Sequence, residues 1–221
     1  MSQPTQHHLM ATKRILRYLK GTLHHGVHFQ PCHLALSDYC NADWAGDPLD
    51  RRSITGMLAF VGNSPLTWSA KKQLTMARSL TEAEYKALAS TTAELCWIRM
   101  ILKDLGVYLS LLPMLWCDNV SALALASNPI FHARTKHIEV DYHYIRGKVL
   151  NRDLQITFIS IHDQLADIFT KTLSSPQVLD LAYKLMGLPP LNLRGDVKTG
   201  DIIPDKAEAY DKAEGKRPVV E

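Results

Sequence analysis

Apolar and polar residues alternate with two different periods along the chain, and the changes of period predict its elements. Residues 8–22 carry apolar side chains at helical spacing, with basic residues elsewhere on the same predicted helix. Residues 32–46, 53–63 and 65–70 form apolar or alternating runs between the polar turns "DPLDRR" and "GNSP". This pattern is typical of three consecutive antiparallel strands.

Helical and extended segments alternate in the second half. Residues 81–105 predict a long helix, with Ser79 or Thr81 as its N-cap and Gly106 at its end. The following patterns predict a strand at 114–119, helices at 120–127 and 136–152, a strand at 154–160 and one or two closing helices at 162–187. Three antiparallel strands, followed by strands that are joined through helices, predict an α/β fold with a mixed five-stranded sheet flanked by helices.

The composition changes near residue 188 and predicts the domain organisation. Residues 188–221 are rich in proline, glycine and charge and show no hydrophobic period, which predicts a polar, mostly disordered tail. Residues 31–187 contain all the predicted strands and form the expected single domain. Residues 1–30 form a separate basic segment upstream of this domain and contain the first predicted helix.

Charge and cysteine content narrow the class of protein. The formal net charge of +3 over 221 residues is mildly basic, which is compatible with a phosphate-backbone partner without requiring one. The four cysteines show no paired spacing, so we expect free thiols in a reducing compartment. The longest apolar run, "VYLSLLPMLW", is about half a membrane span. We therefore expect an intracellular protein with no membrane partner.

Three acidic residues lie where this architecture can bring them together. Asp118 follows a predicted buried strand, and Glu84 and Asp167 lie in the first turns of two predicted helices. Carboxylates at these places would suit a hard divalent cation such as Mg²⁺, which could activate water for phosphodiester cleavage. Each acid also has an ordinary explanation, since acids are favoured in the first turn of any helix and Asp118 could cap the following helix.

Six segments together resemble the ribonuclease H domain of copia-type retrotransposon Pol polyproteins. They are "ADWAGDPLDRRSITG", "WSAKKQ", "RSLTEAEYKALASTTAEL", "CDNVSALALASNP", "FHARTKHIEVDYHYIR" and "DQLADIFTK", and they follow the family's order and spacing. The resemblance covers Leu34 to Gly187. Upstream, residues 1–30 resemble the end of the region that joins the family's reverse transcriptase to this domain. The polymerase catalytic region itself is absent.

The resemblance implies a ribonuclease H-like fold and cleavage of the RNA strand of RNA–DNA hybrids with two Mg²⁺ ions, or Mn²⁺ in their place. It implies an RNA–DNA hybrid and the reverse transcriptase portion of the same polyprotein as partners. The implied location is cytoplasmic, in the virus-like particle of an intact element, or nuclear. The implied catalytic and metal-binding positions are Asn41, Glu84, Asp118 and Asp167.

Asn41 departs from the family pattern, because the family's first acid aligns with it in "CNADWAG". Side chains alternate along a strand, so Asp38 should point to the face opposite Asn41. Asp43 shares the face of Asn41 but lies about 6–7 Å further along an extended chain. An asparagine offers one neutral oxygen and cannot replace a bridging carboxylate. We expect a folded domain whose cleavage activity is weak or absent.

Basic residues near the implied site are candidate phosphate contacts. They are Lys71 and Lys72 after the third strand, Arg78 before the long helix, and Arg134 and Lys136 in "HARTKH". For the first three, a solvated turn is an equally good interpretation. Two alternatives to an active enzyme remain open at this stage: a non-catalytic nucleic-acid-binding remnant or domesticated module, and a remnant without a selected role.

Overall fold

The computed structural model describes residues 3–23, 26, 27, 29, 31–127 and 139–186. In chain order, the described elements are α1 (Gln6–Gly21), β1 (Leu36–Ala42), β2 (Ile54–Val61), β3 (Ser64–Lys72), α2 (Leu80–Asp104), β4 (Met114–Cys117), α3 (Val120–Ser127), α4 (Glu139–Leu150), β5 (Gln155–Phe158), α5 (Asp167–Thr170) and α6 (Ser175–Met186). A short 3-10 turn, Ile161–Asp163, precedes α5. The predicted tail from residue 188, and the candidate contacts Arg134 and Lys136, lie outside the described residues.

The five strands form one mixed sheet in the order β3-β2-β1-β4-β5. β1 pairs antiparallel with β2, and β2 pairs antiparallel with β3. β4 pairs parallel with both β1 and β5. This arrangement confirms the predicted α/β fold with a mixed five-stranded sheet, because the antiparallel hairpins lie on one side of β1 and the strands joined through helices lie on the other.

Helices cover both faces of the sheet. On one face, α2, α3 and α4 bury the main hydrophobic cluster, which includes Ala59 of β2. On the other face, Leu58 of β2 belongs to a second cluster with Leu165 and with Leu181 of α6. Neighbouring residues of a strand point to opposite faces, so the Leu58–Ala59 step separates the two clusters.

The long helix α2 begins at a predicted N-cap. The Ser79 hydroxyl accepts a hydrogen bond from the backbone N–H of Glu82 at 3.1 Å, which satisfies one of the free donors of the first turn. The buried side of α2 packs against β1, and Gly106 follows its end with a positive φ of 76°. The first turn of α2 therefore holds Glu84 close to the carboxyl end of β1.

The helix α1 lies outside the core. All 16 of its residues are exposed, and the predicted apolar side is no exception: Leu9, Ile15, Leu16 and Leu19 are 50–59% exposed. Its amphipathic pattern correctly predicted a helix, but the described part of the chain does not cover its apolar side. No helix among the described residues has the length and apolar character needed to cross a membrane.

Candidate active site

The site lies where β1 and β4 end. These strands are parallel and in register, with Tyr39 paired to Trp116. Two residues further along each strand come Asn41 and Asp118, so the sheet itself brings the two predicted positions to one edge. The rings of Tyr39 and Trp116 stack 6.3 Å apart behind them.

Asn41 is fully buried and is bonded on one side only. Its amide nitrogen Nδ2 donates a short hydrogen bond to Oδ1 of Asp167. Its carbonyl oxygen Oδ1 is buried without a hydrogen-bond partner. This oxygen is therefore a free acceptor at the edge of the sheet. Leaving such a buried oxygen unpaired costs about 1–3 kcal/mol.

Glu84 reaches the same edge from α2. Its side chain is 4% exposed, and Oε2 accepts a hydrogen bond from the backbone N–H of Ala42 at 3.1 Å. Burial, followed by the nearby Cys117 and Asp118, raises the pKa of Glu84 to about 9, whereas the Ala42 N–H and the Lys171 charge act in the opposite direction. The site therefore concentrates negative groups with little positive charge to balance them.

Cys117 and Asp118 complete one side of the cluster. One ligand atom from each of Glu84, Cys117 and Asp118 lies within 4.8 Å of the other two. The Asp118 oxygen Oδ1 is buried without a partner. Cys117 and Cys40 are fully buried, and their thiols share a hydrogen bond, which lowers the pKa of Cys117 and raises that of Cys40. All four cysteines are free, as predicted.

Asp167 is 5% exposed, and the protein occupies both of its oxygens. Oδ1 accepts from Asn41, and Oδ2 pairs with the Lys171 ammonium at 2.8 Å. Burial raises the pKa of Asp167, and the Lys171 charge opposes that shift. The structure thus brings all four predicted positions together, with Asp167 engaged by its own neighbours.

The two other acids of β1 and its loop lie away from this cluster. Asp38 is fully buried on the α2 face, as the alternation predicted, and its Oδ1 accepts from the Leu58 N–H at 3.1 Å. Asp43 accepts a short hydrogen bond from the Ile54 N–H across the loop. A Cβ at Gly46 would lie 1.9 Å from the Asp43 Oδ2, so glycine leaves room for this carboxylate. Asp43 closes the loop rather than joining the cluster.

Two residues that hold Asp167 in place were not predicted from the sequence. Gln164 is fully buried; its Nε2 donates to the Cys40 carbonyl at 3.0 Å, and its Oε1 accepts from the Ala166 N–H at 3.2 Å. Gly56 has no side chain where α5 crosses β2: a Cβ there would lie 2.9 Å from the Ala166 carbonyl oxygen. Close approach of this kind is a recognised reason for glycine inside a strand.

Cys117 and Lys171 are two further members of the site that were not predicted from the sequence. Each had a signal in the sequence: Cys117 directly precedes Asp118, and Lys171 follows Asp167 by four residues, one helical turn later.

The predicted basic residues of this region are all exposed, and two of them have intramolecular contacts. Lys72 pairs with Asp47 and, at 2.9 Å, with Asp50. Arg78 also has an interaction within the chain, while Lys71 is simply exposed.

The donor atoms suit a divalent cation. Two buried oxygens without partners, on Asn41 and Asp118, lie at the same sheet edge as the buried Glu84 carboxylate. Oxygen donors of this type are what Mg²⁺ and Mn²⁺ prefer. Glu84 and Asp118 would hold such an ion directly, and Asn41 could add one neutral oxygen.

The chain is similar in sequence to Pol polyproteins from plant transposons. The chain is 47% identical over 186 residues, 84% of its length, to the retrovirus-related Pol polyprotein from transposon RE1 of Arabidopsis thaliana. It is 37% identical over 188 residues, 85% of its length, to the Pol polyprotein from transposon TNT 1-94 of Nicotiana tabacum. The chain spans only 13% and 14% of these two polyproteins.

No family model matches the chain. Among solved structures, it is similar to LC11-RNase H1, isolated from compost, with a TM-score of 0.48 and 15% identity, over 62% of this chain and 92% of the other. In both relatives, more than a third of the aligned positions are identical, and the aligned segment covers most of this chain. The chain is therefore homologous to one segment of the retrovirus-related Pol polyproteins of copia-type transposons.

Proposed function

We propose that this chain is the ribonuclease H portion of such a polyprotein, and that Asn41 impairs its cleavage of the RNA strand of RNA–DNA hybrids. The observation that carries the proposal is the hydrogen bond from Asn41 to Asp167. The first acidic position is filled by an amide that donates to another member of the cluster, at the point where the family pattern has a carboxylate.

Divalent cations, when bound, supply activation of water and compensation of charge on the leaving oxygen. Glu84 and Asp118 provide carboxylate oxygens for that purpose, held by α2 and by the end of β4. Asn41 provides a neutral oxygen only, and it lacks the charge and the second oxygen with which a carboxylate bridges two ions. Asp167 is held in an ion pair with Lys171 instead.

The proposed partners are an RNA–DNA hybrid and the polymerase portion of the polyprotein. The exposed Lys71 lies near the end of β3. It pairs with Thr55, and Thr55 pairs on its other side with Ala42. Lys71 therefore lies at the same end of the sheet as the loop that follows Asn41. This position supports a phosphate contact. We further propose that residues 1–30 are the end of the connection to the polymerase, and that residues 188–221 are a separate tail.

Cleavage of an end-labelled RNA–DNA hybrid tests the proposal, with the unaltered chain compared with Asn41→Asp in Mg²⁺ and in Mn²⁺. We expect Asn41→Asp to cleave roughly 10³-fold faster or more, which corresponds to about 4 kcal/mol of transition-state stabilisation. A double variant, Asn41→Asp with Asp118→Asn, is the matched negative control. Binding of the uncut hybrid, measured by fluorescence anisotropy, should be similar in all three proteins.

Two outcomes would count against the proposal. Equal cleavage by the unaltered chain and Asn41→Asp would mean that another group supplies the missing ligand and that Asn41 is no lesion. Absence of cleavage by a correctly folded Asn41→Asp that still binds the hybrid would favour a non-catalytic nucleic-acid-binding module.

A further inference from the structure

We propose that Trp44 packs its exposed ring against the sugar–phosphate backbone of the RNA–DNA hybrid, and that this contact contributes to the affinity for the hybrid. The inference rests on the proposed function, because it takes the hybrid as the ligand. It adds an aromatic contact residue, in the loop that follows β1, to the acidic cluster and the candidate phosphate contacts.

Trp44 lies beside the acidic cluster. It follows Ala42 by two residues, so the two Cα atoms are at most about 7 Å apart. The backbone N–H of Ala42 is the group that donates to Glu84. The phosphates of one duplex strand follow each other at about 3.4 Å along the axis. A hybrid with one phosphate at Glu84 and Asp118 therefore brings neighbouring sugars and phosphates within reach of the Trp44 ring.

The Trp44 side chain is held at its polar edge and is otherwise open to solvent. Its Nε1–H donates to the Ala77 carbonyl at 3.2 Å, in the segment that leads into α2. The residue is nevertheless 52% exposed. Because the N–H of the ring is already paired within the chain, the exposed part of the indole offers apolar surface to a ligand. The C–H groups of a sugar are suitable partners for such a surface.

Hydrogen bonds on both sides of Trp44 fix the loop that carries it. Asp43 accepts from the Ile54 N–H, and the Ala45 N–H donates to the Ser53 hydroxyl at 3.1 Å. A side chain that is already held in place loses little conformational freedom when a ligand covers it. Burial of the ring against the hybrid should therefore contribute directly to affinity.

The position of Trp44, and not its exposure, identifies it as the contact. Trp97 is also 52% exposed, but it lies 13 residues after Glu84, which is about 20 Å further along α2. Beside Trp44, the exposed Arg78 directly follows Ala77. Surfaces that bind nucleic acids commonly combine aromatic side chains with positive charge.

Fluorescence anisotropy with a labelled RNA–DNA hybrid tests the inference, with Ca²⁺ in place of Mg²⁺ so that the hybrid stays uncut. We expect Trp44→Ala to weaken binding about ten-fold, through loss of one aromatic contact. Trp97→Ala is the matched control and should bind within about two-fold of the unaltered chain. The loss in Trp44→Ala should be the same at low and high salt, because an apolar contact releases no counterions, whereas Lys71→Ala should reduce the salt dependence.

Tryptophan fluorescence gives a second readout. Addition of unlabelled hybrid should change the emission of the unaltered chain and of Trp97→Phe, and most of that change should be lost in Trp44→Phe. Phenylalanine keeps an aromatic ring, so this variant decides the question if Trp44→Ala does not fold, as judged by circular dichroism. In the Asn41→Asp background, Trp44→Ala should raise KM about ten-fold and leave kcat within about three-fold, as loss of uniform binding does.

Three results would overturn the inference: a folded Trp44→Ala that binds the hybrid within about two-fold of the unaltered chain, an equal loss of affinity in Trp97→Ala, or an emission change that Trp44→Phe retains in full. Its failure is distinguishable from failure of the proposed function. Cleavage by Asn41→Asp without any effect of Trp44 on affinity would remove only the contact. Affinity that depends on Trp44, with no cleavage by Asn41→Asp, would keep the contact and remove the proposed cleavage.

Discussion

The Asn41 amide donates to the Asp167 carboxylate, at a contact where an aspartate at position 41 would place two carboxylates side by side. Both residues are buried, so the replacement exchanges a repulsive pair for an attractive one. We predict that Asn41→Asp lowers the free energy of unfolding by about 1–3 kcal/mol in the presence of a chelator. Urea denaturation at neutral pH measures the change.

Divalent metal should recover much of that loss, because binding to the folded state alone stabilises it. Asp43→Asn is a useful comparison, since Asp43 belongs to the loop and not to the cluster. The stability of Asp43→Asn should respond to Mg²⁺ only as much as that of the unaltered chain does. An Asn41→Asp variant as stable as the unaltered chain without metal would show that the Asn41–Asp167 bond has no net stabilising effect.

Asp38 should make the free energy of unfolding depend on pH. Burial raises its pKa in the folded chain, so the neutral carboxyl is favoured there. The stability associated with that neutral form is fully present below the unfolded pKa, about 3.9, and is lost as the pH rises toward the folded pKa. Asp38→Asn cannot ionise. Its free energy of unfolding should therefore gain on that of the unaltered chain by up to about 1.4 kcal/mol per pH unit above pH 4.

Urea denaturation from pH 3.5 to pH 8, with chelator present, measures that difference. The exposed Asp104 provides the matched control, since Asp104→Asn should follow the unaltered chain at every pH. Parallel curves for Asp38→Asn and the unaltered chain would mean that Asp38 is ionised in the folded state despite its burial.

Gly56 should be intolerant of a side chain. A Cβ there meets Thr170 Cγ2 at 2.7 Å and the Ala166 carbonyl at 2.9 Å, and a backbone atom cannot move aside cheaply. We expect Gly56→Ala to lower the free energy of unfolding by about 1–3 kcal/mol. Gly147, in α4 with no atom within 4 Å of its Cβ position, is the control; Gly147→Ala should stabilise by up to about 1 kcal/mol. Equal effects from the two substitutions would contradict the proposed close packing of α5 on β2.

The side chain of Gln164 should contribute more to the free energy of unfolding than that of an exposed glutamine. Its side chain satisfies a buried carbonyl of β1 and a buried N–H before α5. Gln164→Ala leaves both groups unpaired, and we expect a loss of about 2–4 kcal/mol in the free energy of unfolding. Gln155, an exposed residue of β5, should tolerate the same change within about 0.5 kcal/mol. A loss below 1 kcal/mol at Gln164 would indicate that water replaces the side chain.

The order of elements could be predicted because local periods encode it. The turns around "DPLDRR" and "GNSP" and the caps of α2 are likewise local, and the structure bears them out. The orientation of Asp38 followed from alternation alone. Contacts between distant segments could not be predicted in this way: Gln164 binds Cys40 across 124 residues, and Lys72 pairs with Asp50 across a loop. No periodic pattern specifies such pairs.

The same limit applies to the chemistry of the cluster. Aligned motifs named the four positions, but not that Asn41 donates to Asp167, nor that a thiol lies beside Glu84. Those facts depend on which side-chain atoms face each other once the strands and helices have packed. A hydrophobic pattern states only that a face is apolar, which is also why it did not reveal that α1 remains uncovered.

The exposed helix α1 has a consequence for how this chain melts. Helices of about this length are marginal in water without packing, and α1 has no buried residue to hold it. Its helical signal should therefore fade gradually on heating, ahead of the cooperative transition of the sheet and its covering helices. Far-ultraviolet circular dichroism and tryptophan fluorescence would then report different midpoints, and the two midpoints would converge only if another surface covered the apolar side of α1.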